Sequence, residues 1–205
     1  MPNNVYGNLY FTATLLHFCD KMYEIRWHGR GGQGVVTASE ILASAALKEN
    51  KYIQSFPDFG PERMGAPVKA FTRIDDKPIN IHSQVYEPDA VVVLDPTLLE
   101  TVNMAEGLKK DGILIVNSKE SKEEVRKKTG FPGKIFVIDA TKIALETIGK
   151  PLANICSVGA LSKISGVVKK ENIIKTVQEI MSMKFSEKIV KGNIDSANRG
   201  FDEVK

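Results

Sequence analysis

From Met22 onward, short runs of apolar and β-branched residues alternate with longer stretches in which apolar positions recur every three or four residues. The first pattern suits strands and the second suits amphipathic helices, so the order predicts a repeating succession of β and α elements. Tyr23 to His28 is the first expected strand, Gly29 to Gly34 a glycine loop, and Val35 to Lys48 an Ala-rich helix with Ile41, Leu42, Ala45 and Ala46 on one face. Val91 to Leu94 is a continuous apolar run of the kind buried on both faces of a parallel sheet. Ile113 to Val116 and Ile135 to Ile138 are the next two expected strands.

Helix signals fall between these runs. Asp95 followed by Pro96 reads as a cap and a first-turn proline. Ser121 with Glu124 makes a capping box for a helix ending at Gly130, and Asp139 or Thr141 caps one that stops at Gly149, just before Pro151. Tyr52 to Glu87 breaks the pattern: it contains Pro57, Pro61, Pro67 and Pro78 and a single plausible strand, Val68 to Ile74. Ordered excursions of this length are usually functional. Beyond Leu152 only helical periods remain, over Leu152 to Ser165, Asn172 to Met183 and Glu187 to about Gly200.

The expected fold is therefore α/β: a doubly wound, mostly parallel Rossmann-like sheet with helices on both faces and a helical C-terminal segment. Residues 22–205 are expected to form one domain. Residues 1–21 lack clear periodicity and read as a leader that is poorly ordered or outside the functional domain.

Composition mainly excludes. With 42% hydrophobic and 26% charged residues the chain is neither disordered nor fibrous. A formal charge of +3, spread along the chain, gives no support for nucleic-acid binding. The apolar stretch from Leu9 to Phe18 is about half of a membrane span and lacks a basic segment ahead of it, so a cytoplasmic protein without membrane contact is expected. The two cysteines, Cys19 and Cys156, cannot supply the usual four ligands of an iron–sulfur cluster or a structural zinc. If cluster chemistry is involved, a partner must carry it.

The strongest chemical signal is Gly29-Arg30-Gly31-Gly32-Gln33-Gly34, a G-x-G-x-x-G match between an expected strand and an expected helix. Such a turn lets backbone N–H groups and the positive end of a helix approach a phosphate, and Arg30 could add a charged donor. A plain turn that packs helix against strand is the alternative. A dinucleotide site would also want an acidic residue at the end of the second strand. Asp58 lies at about that distance but inside the irregular stretch, which argues against an ordinary NAD site. A second constellation, Phe56 to Pro67, stiffens a loop with prolines around Asp58, Glu62 and Arg63, and Arg63 offers a fork for a phosphate or carboxylate. It could equally pair with its acidic neighbours. His28 and His82 have no nucleophile beside them in a recognisable arrangement and read as structural, Asp95 as a helix cap, and Cys156 as a small buried hydrophobe. No complete catalytic set is present.

Taken in order, Ile25-Arg-Trp-His-Gly-Arg-Gly-Gly-Gln-Gly34, Phe56-Pro-Asp-Phe-Gly-Pro-Glu-Arg-Met-Gly-Ala-Pro67 and Tyr86-Glu-Pro-Asp-Ala-Val-Val-Val-Leu-Asp95 resemble the gamma subunits of pyruvate (2-oxoacid):ferredoxin oxidoreductases, the pyruvate synthases. The resemblance covers Met22 to about Gly166, and Lys191 to Gly200 is similar to that family's end. It implies a share in the oxidative decarboxylation of a 2-oxoacid to an acyl-coenzyme A with reduction of ferredoxin, or the reverse. Thiamine diphosphate and the 4Fe-4S clusters would belong to partner alpha, beta and delta (ferredoxin-like) subunits, with ferredoxin accepting the electrons. This chain, not catalytic alone, would contribute coenzyme A binding and subunit assembly. Carried over residue by residue, Gly29, Gly31, Gly32, Gln33 and Gly34 would form the cofactor loop, with Arg63 and Arg30 as anchors. A free-standing NAD(P)-binding oxidoreductase and a structural subunit with an empty glycine loop are the alternatives.

Overall fold

The structure, a computed structural model, describes residues 22–58 and 64–205. The expectation for residues 1–21 lies outside them. Six strands form one sheet: β1 (Tyr23–Arg30), β2 (Tyr52–Asp58), β3 (Pro67–Asp75), β4 (Ala90–Val93), β5 (Ile113–Asn117) and β6 (Lys134–Ile138). Their order across the sheet is β2-β3-β1-β4-β5-β6. Pairing is parallel from β1 through β6, whereas β3 runs antiparallel to both β1 and β2, so β3 alone is reversed. Six helices accompany the sheet: α1 (Val35–Leu47), α2 (Lys122–Thr129), α3 (Ala140–Ile148), α4 (Asn154–Ser165), α5 (Lys170–Ser182) and α6 (Glu187–Glu203).

One expectation needs correction. The stretch from Tyr52 to Glu87 holds two strands, not one, because Tyr52–Asp58 pairs along its whole length with β3. Pro57 is tolerated there because β2 is the sheet edge, where a missing N–H costs no ladder bond. With no helix between them β2 and β3 can only be antiparallel, and they interrupt the β–α alternation.

The alternating faces of the strands feed two cores. Ile25, Trp27, Val92 and Ile115 pack with α1, α3, α4, α5 and α6, while Val91, Val93, Leu114 and Val116 pack with Val125 of α2 and with Leu98 of a 3-10 helix, Pro96–Glu100. Over β1 and β3 the second face carries buried polar and charged groups, Arg26, His28 and Arg73, beside the ring of Phe71. Arg73 pairs with Glu24 at 2.8 Å and donates to the carbonyl of Gln84, tying down the segment that crosses this face.

Local signals set the helix ends. Ser121 and Glu124 form the expected capping box, Asp139 accepts from the N–H of Lys142, and Gly130, Gly149 and Gly166 close α2, α3 and α4 in the left-handed conformation. At the far edge, Lys205 exchanges two backbone hydrogen bonds with Val137 of β6. Among the described residues no helix is long and apolar enough to cross a membrane, and no group of three or more His, Cys, Asp or Glu could hold a metal ion.

Candidate functional site

β1 delivers the chain to the carboxyl edge of the sheet at Arg30, the turn Gly31 to Gln33 reverses it, and α1 starts at Val35. Gly34, the residue before α1, has φ 76°, and a Cβ built on it would lie 2.3 Å from the Asn154 Nδ2 atom of α4. Only glycine combines that backbone with that approach. Gly32 also has a positive φ, 93°. No side chain caps α1, and among the described residues the N–H groups of Gly32 and Gly34 have no partner. Open donors at a helix N-terminus are the local requirement for binding an anion.

The rest of the turn is held from several sides. The Gly31 N–H donates to Ala66 O at 2.9 Å and the Gly65 N–H to Gly31 O at 3.1 Å, which extends the β1–β3 ladder over the loop. The Gln33 side chain accepts from the Arg30 N–H at 2.7 Å and donates to Asp95 Oδ2 at 2.6 Å. Arg30 pairs with Asp95 at 3.2 Å, and donates to Thr97 Oγ1 and to Gly65 O. Asp95 is thus the hub between the end of β4 and the turn. Its partial burial alone would raise the carboxyl pKa, but hydrogen bonds from Thr97 and Gln33 and the charge of Arg30 outweigh this and hold it below its ordinary value.

A cleft of about 470 Å³ opens beside the turn, lined by Gly32, Gln33, Met64, Asp95, Asn117 and Leu152 among others. It lies at the carboxyl ends of β1, β4 and β5. Ligands bind at this edge in open α/β sheets. Asn117, at the end of β5, donates to Leu94 O at 2.7 Å and to Thr141 Oγ1 at 2.8 Å, which fixes the cleft floor to the start of α3. A larger cleft, about 870 Å³, lies by β6 and α6, but its Arg199 is already bound to Glu203 and Glu146. The smaller cleft has the open backbone donors.

The model of the pyruvate ferredoxin/flavodoxin oxidoreductase family matches residues 24–203. The chain belongs to this family. It is 56% identical over 179 residues to the pyruvate/ketoisovalerate oxidoreductases common subunit gamma of Thermococcus kodakarensis, covering 87% of this chain and 97% of that one. The crystal structure of the Thermotoga maritima pyruvate oxidoreductase subunit PORC superimposes with a TM-score of 0.81 at 47% identity, covering 90% of this chain and 98% of the other. The same fold recurs, at 17% identity and a TM-score of 0.71, over 88% of this chain and 30% of the 2-oxoglutarate:ferredoxin oxidoreductase of Magnetococcus marinus, whose structure holds 2-oxoglutarate, coenzyme A and succinyl-CoA. This member of the pyruvate ferredoxin/flavodoxin oxidoreductase family is accordingly a gamma subunit of a 2-oxoacid:ferredoxin oxidoreductase complex.

Of the sequence-predicted site residues, Gly29 and Arg30 close β1, and Gly31, Gly32, Gln33 and Gly34 make the turn. Arg63 lies outside the described residues. Arg30 is engaged by Asp95, so its side chain is committed within the protein. Sequence reasoning gave Asp95 a capping role, which it has, accepting from the Thr97 N–H at 3.0 Å; it missed the contacts with Arg30 and Gln33. Asp95, directly after the apolar run Val91 to Leu94, was the available signal. Asn154, which fills the space under Gly34, carried none.

His28 is 4% exposed and its Nε2 accepts from Arg26 Nε at 3.0 Å, so the ring is neutral with its proton on Nδ1. Burial first, then the charges of Arg26 and Lys69, push its pKa down to about 3. Such a group does not shuttle protons near neutral pH.

Proposed function

We propose that this gamma subunit binds coenzyme A at the glycine turn and helps to hold the catalytic subunits together. The oxidoreductase would oxidise pyruvate, or a similar 2-oxoacid, to the acyl-coenzyme A in the cytoplasm, or run the reverse reaction. Residues 22–205 act as one domain, with Gly29, Arg30, Gly31, Gly32, Gln33 and Gly34 forming the loop and Arg63 as a further anchor. The observation that carries the reading is the pair of open N–H groups at Gly32 and Gly34, set at the start of α1 against a cleft of about 470 Å³. A diphosphate is the group that such a turn fits. Coenzyme A in the Magnetococcus marinus structure is consistent with this reading.

Thiamine diphosphate and the 4Fe-4S clusters reside in the alpha, beta and delta partners, and ferredoxin takes the electrons. The chain has only two cysteines, and burial pushes the thiol of one of them, Cys156, up to about 12, so it resists becoming a thiolate ligand.

The test is Gly32→Asp in the assembled complex, which places an anion and a side chain where the phosphates would lie. Acyl-coenzyme A formation should then need about tenfold more coenzyme A, the equivalent of ~1.4 kcal/mol. Unchanged turnover at limiting coenzyme A removes the turn from the reaction. The Arg30–Asp95 pairing favours a second reading, a purely structural turn, and that outcome would establish it.

A further inference from the structure

The positive charge of the chain is concentrated in one stretch. Residues 109–134 hold eight Lys and Arg against four Asp and Glu, whereas the rest of the described chain is close to balance. This stretch includes β5, α2 and the start of β6, so its charges share one side of the molecule. α2 packs on the opposite face of the sheet from α1, and Val125 is its one buried residue, which leaves nearly all of its surface open. At the C-terminal end of α2 four cations gather around Gly133. Arg126 is fixed there by donating to Phe131 O at 2.7 Å and to Gly133 O at 3.1 Å. Lys127 and Lys134 are the residues next to Arg126 and Gly133, and a Cβ built on Gly133 would lie 2.8 Å from Lys110 O. Lys119 stands at the other end, two residues beyond the Asn117 that lines the sheet-edge cleft, with the length of α2, about 12 Å, between the two ends. The carboxylates of the stretch do not neutralise this face. Glu124 is engaged by Ser121 in the capping box and Glu120 by Lys128. Among the described residues Lys110, Lys119, Lys127 and Lys134 are exposed and make no ion pair.

Lysines are depleted from the centres of protein interfaces, where an ammonium must shed its water, but a field of them speeds the encounter with an oppositely charged protein. The partner this face fits is therefore an acidic protein that binds and leaves. In a 2-oxoacid:ferredoxin oxidoreductase the protein that comes and goes with each electron is the acceptor. We propose that the α2 face receives the carboxylate-rich surface of ferredoxin and orients it on the complex during electron transfer. The inference rests on the reading above that ferredoxin takes the electrons from clusters in partner subunits. The electron passes from a partner's cluster to that of ferredoxin, and Lys110, Lys119, Arg126, Lys127 and Lys134 contribute attraction and orientation only. With a Debye length of about 10 Å at 0.1 M salt, both ends of the face act together on an approaching acidic surface.

Steady-state pyruvate oxidation by the assembled complex tests this, with either the cognate ferredoxin or methyl viologen as acceptor. Methyl viologen is a small cation and gains nothing from a basic docking face. Lys110→Gln/Lys127→Gln/Lys134→Gln should lower kcat/KM for ferredoxin about tenfold at low ionic strength, and the loss should shrink below about twofold near ~0.5 M salt. Turnover with methyl viologen and the KM for coenzyme A should keep their wild-type values. All three side chains are exposed, so folding is not at stake. Lys169→Gln/Lys175→Gln/Lys191→Gln removes the same charge from the α5 and α6 side of the molecule and should change kcat/KM for ferredoxin by less than about twofold. An α2-face variant that keeps the wild-type kcat/KM and salt dependence overturns the inference, and so do equal losses in the two triple variants, which would assign the effect to net charge. Dissociation of the gamma subunit from the α2-face variant on gel filtration also overturns it, because the face would then be a contact between subunits. If the wild-type complex reduces methyl viologen but not ferredoxin, the reading of ferredoxin as acceptor falls, and the inference with it.

Discussion

The buried His28 makes the stability of the chain acid-sensitive well above the carboxylate range, and the size of the effect follows from its surroundings. The ring lies on the polar face of the sheet, accepts from Arg26 Nε and has Lys69 directly opposite on β3, with Asp58 the next residue across on β2. Its folded pKa is depressed from 6.5 to about 3. As pH falls, the unfolded chain therefore takes up the proton first, and stability drops progressively from near pH 6.5 until the folded pKa is reached. Between pH 7.5 and pH 5 the unfolded histidine gains one and a half pKa units of proton binding that the folded one does not, a loss of about 2 kcal/mol. Urea unfolding of the purified chain at the two pH values measures this. His28→Gln keeps an acceptor for Arg26 and removes the titration, so the variant should lose about 2 kcal/mol less than the wild type over that interval. Equal losses in both proteins would refute the reasoning, because every other titrating group is common to the pair.

Other expectations are simpler. A Cβ on Gly200 would lie 2.0 Å from Cys156 O across the α4–α6 contact, so Gly200→Ala should separate the helices and cost about 2 kcal/mol in urea unfolding. Ser121→Ala removes the capping box of α2 and should cost about 1 kcal/mol, with α2 amides exchanging faster. Asp95→Asn offers an amide donor where Gln33 also donates and removes the charge partner of Arg30. The bonded amides of Gly31 and Gln33 should lose hydrogen-exchange protection at neutral pH, whereas the wild type keeps it until Asp95 protonates below its ordinary value of 3.8.

Features encoded over a few adjacent residues were legible. The Ser121–Glu124 box, the Asp95-Pro96 start and the glycines after α2, α3 and α4 act within one turn of chain, and the glycine turn itself is set between β1 and α1. What escaped depends on partners distant in sequence. Tyr52–Asp58 becomes a strand by pairing with β3, and neither its proline nor its mixed polarity announces that. Likewise Arg30 reads as a free cation until β4 is placed beside β1, which brings Asp95 within 3.2 Å. Asn154, 120 residues from Gly34, is invisible for the same reason.

The inserted β3 also explains why a glycine fingerprint is here uncoupled from the ribose-binding acid that normally accompanies it. In a dinucleotide fold the second strand lies next to the first, and an acidic residue at its end faces the ribose. Here β3 occupies that place and displaces β2 to the edge. Asp58 ends β2 level with His28 but two strands away, about 10 Å across the sheet, and accepts instead from Gln84 Nε2 at 2.9 Å. The site loses one side of a nucleotide-binding crevice and gains another. The β1–β3 ladder runs on over the loop through Gly31, Gly65 and Ala66, while α4, α5 and α6 enclose an apolar space on the opposite side of the turn. On the coenzyme A reading, a phosphate-bearing ligand at Gly32 has the sheet-edge cleft and this apolar space open to it, with no acidic side chain beside it at the end of a second strand. Reordering the strands around an unchanged glycine turn changes which ligand that turn can serve.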